Sequence, residues 1–116
     1  MKRIKRTVAL CILTIPAAAF AAGGSATGTI TNLFVDAGFA NVIYVTLSGV
    51  KTGNPACSTS TRGQFVIPAN NGVADYVFMF TLATTAAISG KTVTVTGQNQ
   101  CNVDNAVETI QNIKIG

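Results

Sequence analysis

Few residues in this sequence could carry out catalysis. None of the 116 residues is histidine, which excludes Ser-His-Asp triads and histidine metal sites. Asp104 and Glu108 could in principle flank a glycosidic bond as a catalytic pair of carboxyl groups. Both residue types are also the ordinary choice for turns and strand edges, where they favour solubility. We therefore expect that the protein is not an enzyme and that it uses no cofactor or metal.

One segment resembles a nucleotide-binding motif. Ser89-Gly90-Lys91-Thr92 has the letters that end a phosphate-binding P-loop. The motif requires a glycine five residues before Gly90, where Thr85 stands, and it requires a strand before the loop. We interpret the segment as the end of a helix, with the glycine just past the last helical residue.

The first residues have the composition of a secretory signal peptide. Four basic residues precede an apolar run of 15 residues, Val8–Ala22, as in a Sec signal. Cleavage is predicted after Ala21, with Ala19 as the alternative site. The run is shorter than the ~20 residues that cross a bilayer, so we expect no membrane span in the mature form. Residues 1–21 are predicted to be the signal peptide and 22–116 a single periplasmic or extracellular domain.

Beyond the leader, the chain has two cysteines, Cys57 and Cys101. Two cysteines without histidine cannot complete a four-ligand zinc site, and these two are too far apart for a CxxC redox motif. In an oxidising compartment a disulfide is the default. It would close a loop of about 45 residues and stabilise the fold by about 4 kcal/mol.

A stretch rich in hydroxyl groups begins directly after Cys57. A disulfide at that cysteine would hold the stretch still, so that its side chains could donate hydrogen bonds to a sugar or a carboxylate. The alternative interpretation is an exposed polar loop without a ligand, which we favour for any single residue. The candidate binding residues here are Ser58, Thr59, Ser60, Thr61 and Arg62.

The charge distribution argues against nucleic acid as a partner. The formal net charge is +4, but the first six residues supply all of the excess. The remaining four basic and four acidic residues balance. A neutral domain lacks the electrostatic attraction that phosphate backbones require.

Alternating apolar and polar residues predict a mainly β domain with one helix. Because a small sheet must protect its edges, we expect an OB-like five-stranded antiparallel barrel with the helix between strands. An open sheet packed on the helix is the alternative. The predicted strands are Thr29–Val35, Asn41–Ser48, Gln64–Ile67, Lys91–Gly97 and Val107–Ile115, and residues 23–28 are a small-residue lead-in.

The segment Val73–Ser89 is ambiguous between helix and strand. Its Val and Thr content favours a strand. Its length, and the placement of Tyr76, Phe80, Ala83 and Ala87 on one helical face, favours a helix. We predict the helix. The two tyrosines, Tyr44 and Tyr76, are expected in or beside the core, and the chain lacks tryptophan, the usual residue for stacking on sugars.

A family resemblance rests on the order of these segments. The strand Ile43-Tyr44-Val45-Thr46-Leu47, then Pro55-Ala56-Cys57, the helix ending in Ser89-Gly90-Lys91, the strand Val93-Thr94-Val95, and finally Cys101 and Glu108-Thr109-Ile110 look like a group of short exported bacterial proteins. More remotely, the chain resembles the B subunits of the subtilase and typhoid-type AB5 toxins.

The resemblance implies a binding function for this chain. Those B subunits are OB-like barrels that assemble as pentamers, bind sialylated glycans and carry an exported partner subunit. A serine near the first strand and a lysine before the first disulfide cysteine help to hold the sugar acid. The matching positions here are Ser25 or Thr27, and Lys51. The alternative function is a structural or protein-interaction module of the cell envelope with no small-molecule ligand.

Overall fold

The computed structural model describes residues 23–38, 42–59, 62–68 and 74–116. Within them it confirms the predicted mainly β class with one helix. The elements follow one another in the predicted order: β1 (Ser25–Asp36), β2 (Val42–Val50), β3 (Arg62–Pro68), α1 (Ala74–Ser89), β4 (Thr92–Gly97) and β5 (Ile110–Ile115). The predicted signal peptide lies outside the described residues.

The five strands form one antiparallel sheet in the order β3-β2-β1-β4-β5. The central strand β1 pairs with β4 over Ser25–Thr29 and with β2 from Ile30 onward, with a register shift between Ile30 and Asn32. The prediction of residues 25–28 as a lead-in is therefore wrong. Their small side chains carry no strand pattern of their own, but the alternating Thr and Val residues of β4 supply a complete partner.

The predicted closure into a barrel is also wrong, because the sheet remains open. Among the described residues, β3 is joined to the residue before β5 by a parallel bridge between Val66 and Thr109, where the backbone N–H of Val66 donates to the carbonyl of Glu108 at 3.0 Å. β5 begins at Ile110, three residues later than predicted. The segment before it turns the Glu108 side chain into the interior instead of continuing a ladder along β3.

The segment 74–89 is a helix, as predicted. Ala83 and Ala86 are fully buried, which lets α1 lie close to the sheet, and Tyr76 and Phe80 pack at the edge of the same core. The helix ends where the sequence predicts. Gly90 has a φ of 65°, a left-handed conformation that favours glycine, and the N–H of Lys91 donates to the carbonyl of Ala86 at 3.1 Å.

The main core lies between α1 and one face of the sheet. Every strand contributes to it, and β2, β3 and β4 contribute alternate residues, as expected for strands with one buried face. The buried members are Ala26, Ile43, Val45, Leu47, Phe65, Ile67, Ala86, Val93, Val95 and Ile110.

A second, smaller cluster covers the opposite face of β2 and β3. Val42, Tyr44 and Val66 pack there against Val107 of the loop before β5. The hydroxyl of Tyr44 donates to Asp104 at 2.5 Å. Tyr44 is thus part of the core, as predicted.

The environment of Tyr44 holds its hydroxyl in the neutral form. Burial, the hydrogen bond to Asp104, and the negative charges of Asp104 and Asp36 together raise the pKa of Tyr44 well above its ordinary value. Each of these effects disfavours the phenolate.

The predicted disulfide between Cys57 and Cys101 is present. Its Cα atoms are 6.0 Å apart, and it joins the loop after β2 to the loop after β4. No helix within the described residues is both long and apolar enough to cross a membrane.

Removing the disulfide should weaken the fold markedly. The Cys57→Ala/Cys101→Ala variant releases a loop constraint from the unfolded chain and is expected to lose about 4 kcal/mol of unfolding free energy. Urea denaturation of the variant and of the oxidised wild type measures the difference. A loss below about 1 kcal/mol would mean that the unfolded chain is already constrained by other contacts.

Alkaline pH should destabilise the protein through Tyr44. The unfolded chain ionises this tyrosine near pH ~10, whereas the folded protein keeps it neutral, so stability falls as pH rises above that value. The slope is at most about 1.4 kcal/mol per pH unit. Urea midpoints between about pH 9 and 11.5 should fall less steeply for Tyr44→Phe than for the wild type. Tyr76→Phe is the matched control, and equal slopes for wild type and Tyr44→Phe would contradict this account.

Candidate functional site

An ion pair lies in the interior where the two disulfide-linked loops meet the sheet. The ammonium of Lys51 is 2.9 Å from the Glu108 carboxylate, and both side chains are fully shielded from solvent. Because desolvating two charges costs several kcal/mol per ion, such a pair persists only when further polar contacts complete it.

Backbone groups supply those contacts to Glu108. The N–H of Gly24 donates to both carboxylate oxygens at 3.0 and 3.1 Å, and the N–H of Asn99 donates to one of them at 2.7 Å. A Cβ atom on Gly97 would overlap this carboxylate, so the absence of a side chain there makes room for it.

Lys51 is held from the other side. Its ammonium donates to the carbonyl of Gln64 at 3.3 Å and lies 4.2 Å from the centre of the Phe65 ring, within cation–π range. Burial lowers the pKa of Lys51, against the opposing effect of the hydrogen bond to Glu108 and its negative charge.

Three residues that the sequence offered as binding or catalytic candidates have partners within the protein. The predicted sugar-acid ligand Lys51 has its ammonium turned into the interior and bound to Glu108. Asp104, the other member of the catalytic pair considered above, accepts hydrogen bonds from Tyr44 and from the N–H of Ala106. Both carboxylates therefore have structural partners.

A row of hydroxyl groups lies along β1, near the point where this strand stops pairing with β4 and begins pairing with β2. Thr27 and Thr94 share a hydrogen bond of 3.0 Å between their hydroxyls. The N–H of Thr29 donates to the hydroxyl of Ser48 at 3.0 Å, and the hydroxyl of Thr31 donates to the carbonyl of Thr46 at 3.2 Å. These contacts fix the orientation of the hydroxyls before any ligand arrives.

A cleft of about 410 Å³ adjoins this row. It opens where the pairing of β1 with β2 shifts register between Ile30 and Asn32, and where the pairing of β2 with β3 shifts between Leu47 and Val50. None of the described residues that line it is charged. We call it the hydroxyl cleft; it is lined by Thr31, Thr46, Leu47, Ser48, Gly49, Val50 and Gly63.

A glycine keeps the strands close beside the hydroxyl cleft. A Cβ atom on Gly49 would overlap the backbone carbonyl of Thr27. Any larger residue at this position would push β2 away from β1. The glycine thus allows the close crossing of two strands at which the cleft forms.

The predicted binding residues divide into two groups. Ser25 and Thr27 lie at the start of β1, where the backbone of Ser25 pairs with that of Thr52 at 2.8 Å in both directions. Arg62 is the first residue of β3, opposite Val50 of the hydroxyl cleft. These three lie on the strands that build the cleft or directly beside them.

The other predicted residues lie by the disulfide. Ser58 is buried, and its hydroxyl has no hydrogen-bond partner among the described residues. Its neighbour Thr59 is exposed, and the N–H of Thr59 donates to the carbonyl of Ala106 at 3.1 Å. Ser60 and Thr61 lie outside the described residues.

Sequence reasoning missed the residues that line the hydroxyl cleft. Thr46 and Ser48 alternate with apolar residues in the second predicted strand, and Gly49 follows them. This pattern places two hydroxyls on one face of a strand beside a glycine, which is a usable but weak signal. The position of Thr31 beside them depends on the register shift in β1, which no local pattern reveals.

Comparison of the chain with protein-family models, with curated proteins and with solved structures finds no match. Among the described residues, no group of three or more His, Cys, Asp or Glu side chains could hold a metal ion. The site is therefore interpreted from its own geometry.

The ion pair should behave as a coupled unit. Glu108→Gln leaves a buried ammonium without its counterion, and Lys51→Met leaves a buried carboxylate, so each is expected to cost about 3–5 kcal/mol of unfolding free energy. The double variant removes both charges and should recover at least about 2 kcal/mol relative to the sum.

Urea denaturation of the four proteins measures the coupling. The exposed Lys91→Met is the matched control and should change stability by less than about 0.5 kcal/mol. Additive losses in the double variant would contradict a direct interaction between Lys51 and Glu108.

Proposed function

We propose that this protein is an exported, non-catalytic binding module whose ligand is a carbohydrate held at the hydroxyl cleft. The observation that carries the proposal is the composition of the described lining of that cleft, which combines three hydroxyl side chains with glycine backbone and includes no charged residue. Sugars present hydroxyls that both donate and accept hydrogen bonds, and Ser and Thr hydroxyls can do the same.

The volume of the hydroxyl cleft and the fixed orientation of its hydroxyl groups support this proposal. A volume of about 410 Å³ falls within the range of small-molecule sites. Ser48 and Thr31 already have backbone partners in the cleft wall, so binding would immobilise few additional side chains. Preorganisation of this kind lowers the entropic cost of binding.

An aromatic surface lies further along β1. Phe34 stacks on Tyr44, with ring centres 4.9 Å apart, and is 40% exposed. The open face of its ring could cover the apolar side of a sugar that extends beyond the hydroxyl cleft. Phe34 would supply the stacking contact for which the chain has no tryptophan.

The family resemblance adds a pentamer and an exported toxic partner subunit to this proposal. Repeated copies of a weak site in a ring would raise the avidity for a surface rich in glycans. The disulfide and the absence of a membrane-spanning helix within the described residues are compatible with export.

A glycan array with the purified exported protein tests the proposal, followed by calorimetric titration of the ligands that bind. Thr31→Val and Thr46→Val remove one hydroxyl each with little change of shape. We expect each to weaken binding about 10-fold, the value of one lost hydrogen bond.

Thr85→Val is the matched control because it makes the same change on an exposed face of α1. It should leave the affinity unchanged. If no glycan binds, or if Thr31→Val and Thr46→Val both bind like the wild type, the carbohydrate proposal fails.

A second candidate function is a protein-interaction module of the cell envelope. The observation in its favour is the apolar surface of α1, where Val77, Phe78 and Ile88 are 63%, 69% and 84% exposed. Large apolar side chains exposed on a helix mark an interaction surface in many soluble proteins. A protein that binds no glycan but assembles through this surface would support the second function.

A further inference from the structure

The side of α1 that faces away from the sheet carries no charge. The helix buries Ala83 and Ala86 against the sheet, and Asp75 in its first turn is the only charged residue of Ala74–Ser89. At 3.6 residues per turn, the remaining exposed residues lie on the side opposite the two alanines. We call them the outer face of α1: Val77, Phe78, Thr81, Thr85, Ile88 and Ser89.

The hydroxyl groups of the outer face are satisfied by the helix itself. The hydroxyl of Thr81 donates to the carbonyl of Val77, and that of Thr85 to the carbonyl of Thr81, each at 2.9 Å. Ser89 donates to the carbonyl of Thr85 at 2.7 Å. Because these donors are already bonded within the helix, an apolar surface can cover the outer face without leaving them unpaired.

The outer face has bulky residues at its two ends and smaller ones in its middle. Phe78 stands five positions before Ala83 and Ile88 five positions after it. Thr81 and Thr85 stand two positions before and two positions after the same alanine. A two-fold rotation at the level of Ala83 therefore matches bulky with bulky and small with small residues, so the outer face is complementary to itself.

We propose that α1 packs antiparallel on α1 of a second copy of this chain, forming a two-fold dimer through the outer face. Phe78 of one copy packs beside Ile88 of the other, twice by symmetry, and Thr81 lies beside Thr85 at the centre. The small central residues let the helix axes approach to about 8–10 Å, as in packed helices generally. The inference names a partner for the surface of the second candidate function, and it does not depend on the carbohydrate site.

Electrostatics favour the antiparallel orientation of the two helices. The positive N-terminal end of each helix dipole then lies beside the negative C-terminal end of the other. The two Asp75 residues are kept about 24 Å apart along the pair, from a rise of 1.5 Å per residue. A parallel pair would instead gather both carboxylates and both N-terminal ends at one end of the interface.

A lipid surface is the competing occupant of the outer face. Helices that lie on membranes are rich in Lys and Arg on their polar side, whereas α1 has no basic residue. Residues 22–116 also carry four basic and four acidic residues, so no net positive charge attracts the domain to anionic lipid. The charges therefore favour another protein surface, and the symmetry of the outer face favours a second copy.

The same symmetry bears on the number of copies. An interface that uses the same surface on both partners closes after two copies, whereas a ring needs two different surfaces on each copy. The outer face therefore favours a dimer over the pentamer that the family resemblance implies.

Sedimentation equilibrium of the purified exported protein tests the assembly. We expect the mass of a dimer, with a micromolar dissociation constant because a single pair of helices is a small interface. Phe78→Glu and Ile88→Lys each set a charge against an apolar residue of the second copy, and each should weaken the dimer at least about 10-fold. Both positions are mostly exposed, and far-ultraviolet circular dichroism verifies that the variants are folded.

The double variant Phe78→Glu/Ile88→Lys tests the orientation. In the antiparallel pair the new carboxylate and the new ammonium of different copies lie side by side, so the double variant should dimerise more tightly than either single variant. In a parallel pair like charges would meet, and the two losses would add to about 100-fold. Additive losses would overturn the proposal.

Two variants serve as controls and should leave the dimer unchanged. Val35→Lys replaces an apolar residue of β1 that is 56% exposed and lies outside α1. Thr85→Val keeps the shape of the outer face and removes only a hydroxyl that is bonded within its own helix.

Three results would overturn the proposal. The first is a monomer at concentrations up to about 200 µM, too weak for a specific interface, and the second is a pentamer. The third is a monomer that binds phospholipid vesicles, which would assign the outer face to a lipid surface. A dimer that binds no glycan would leave this inference standing while the carbohydrate proposal fails, and a monomer that binds glycan would do the reverse.

Cysteine cross-linking tests the contact between the two ends of the helix. An equimolar mixture of the single variants Phe78→Cys and Ile88→Cys should, on mild oxidation, give mainly the product that joins one copy of each. Mass spectrometry identifies this product, because the two variants differ in mass. A predominance of products that join two copies of the same variant, or no cross-linking at all, would contradict the antiparallel pair.

Discussion

The buried ion pair between Lys51 and Glu108 is the contact on which the rest of the structure depends. Glu108 binds the backbone of Gly24 and Asn99, and Lys51 binds the Gln64 carbonyl and the Phe65 ring. The pair thus joins the residues before β1, the end of β2, strand β3 and the loops on both sides of the disulfide. Because either charge alone would be costly to bury, these segments have one arrangement in which both are satisfied. We infer that the pair selects which arrangement of these segments forms, and that it adds less to the stability of the fold.

The same interior contacts leave the surface with two contrasting regions. Lys51, which follows Val50 of the hydroxyl cleft, is turned inward to Glu108, so the described walls of the cleft offer hydroxyls and backbone instead of charge. On the other side of the sheet, α1 covers the core with alanines and exposes larger apolar residues to solvent. The first region suits a polar neutral ligand and the second suits another protein surface.

Much of the fold follows from local pattern, and most of the site does not. The alternation in Thr92–Gly97 correctly predicts a strand, and the spacing of Tyr76 and Phe80 correctly predicts a helix. Residues two positions apart in a strand, or four apart in a helix, lie on the same face. The start of β1 has only small residues and takes its conformation from β4. The open sheet was the alternative to the predicted barrel, and the choice between them depends on how β3 and β5 lie relative to each other, which no local pattern reports. Ser25 and Thr27 were predicted as binding residues from the family resemblance, whereas Thr31, Thr46 and Ser48 come together only through two register shifts.

The sequence by itself determined the class of the fold, the position of the helix, the disulfide between Cys57 and Cys101, and the residue types available for function. Each of these depends on composition, on short-range periodicity or on the small number of cysteines. Only the tertiary structure decided that Glu108 meets a backbone group 84 positions away, that Lys51 faces the interior, and that the sheet stays open. The physical reason is that burial and pairing of polar groups depend on neighbours brought together by the whole topology, which no window of sequence contains.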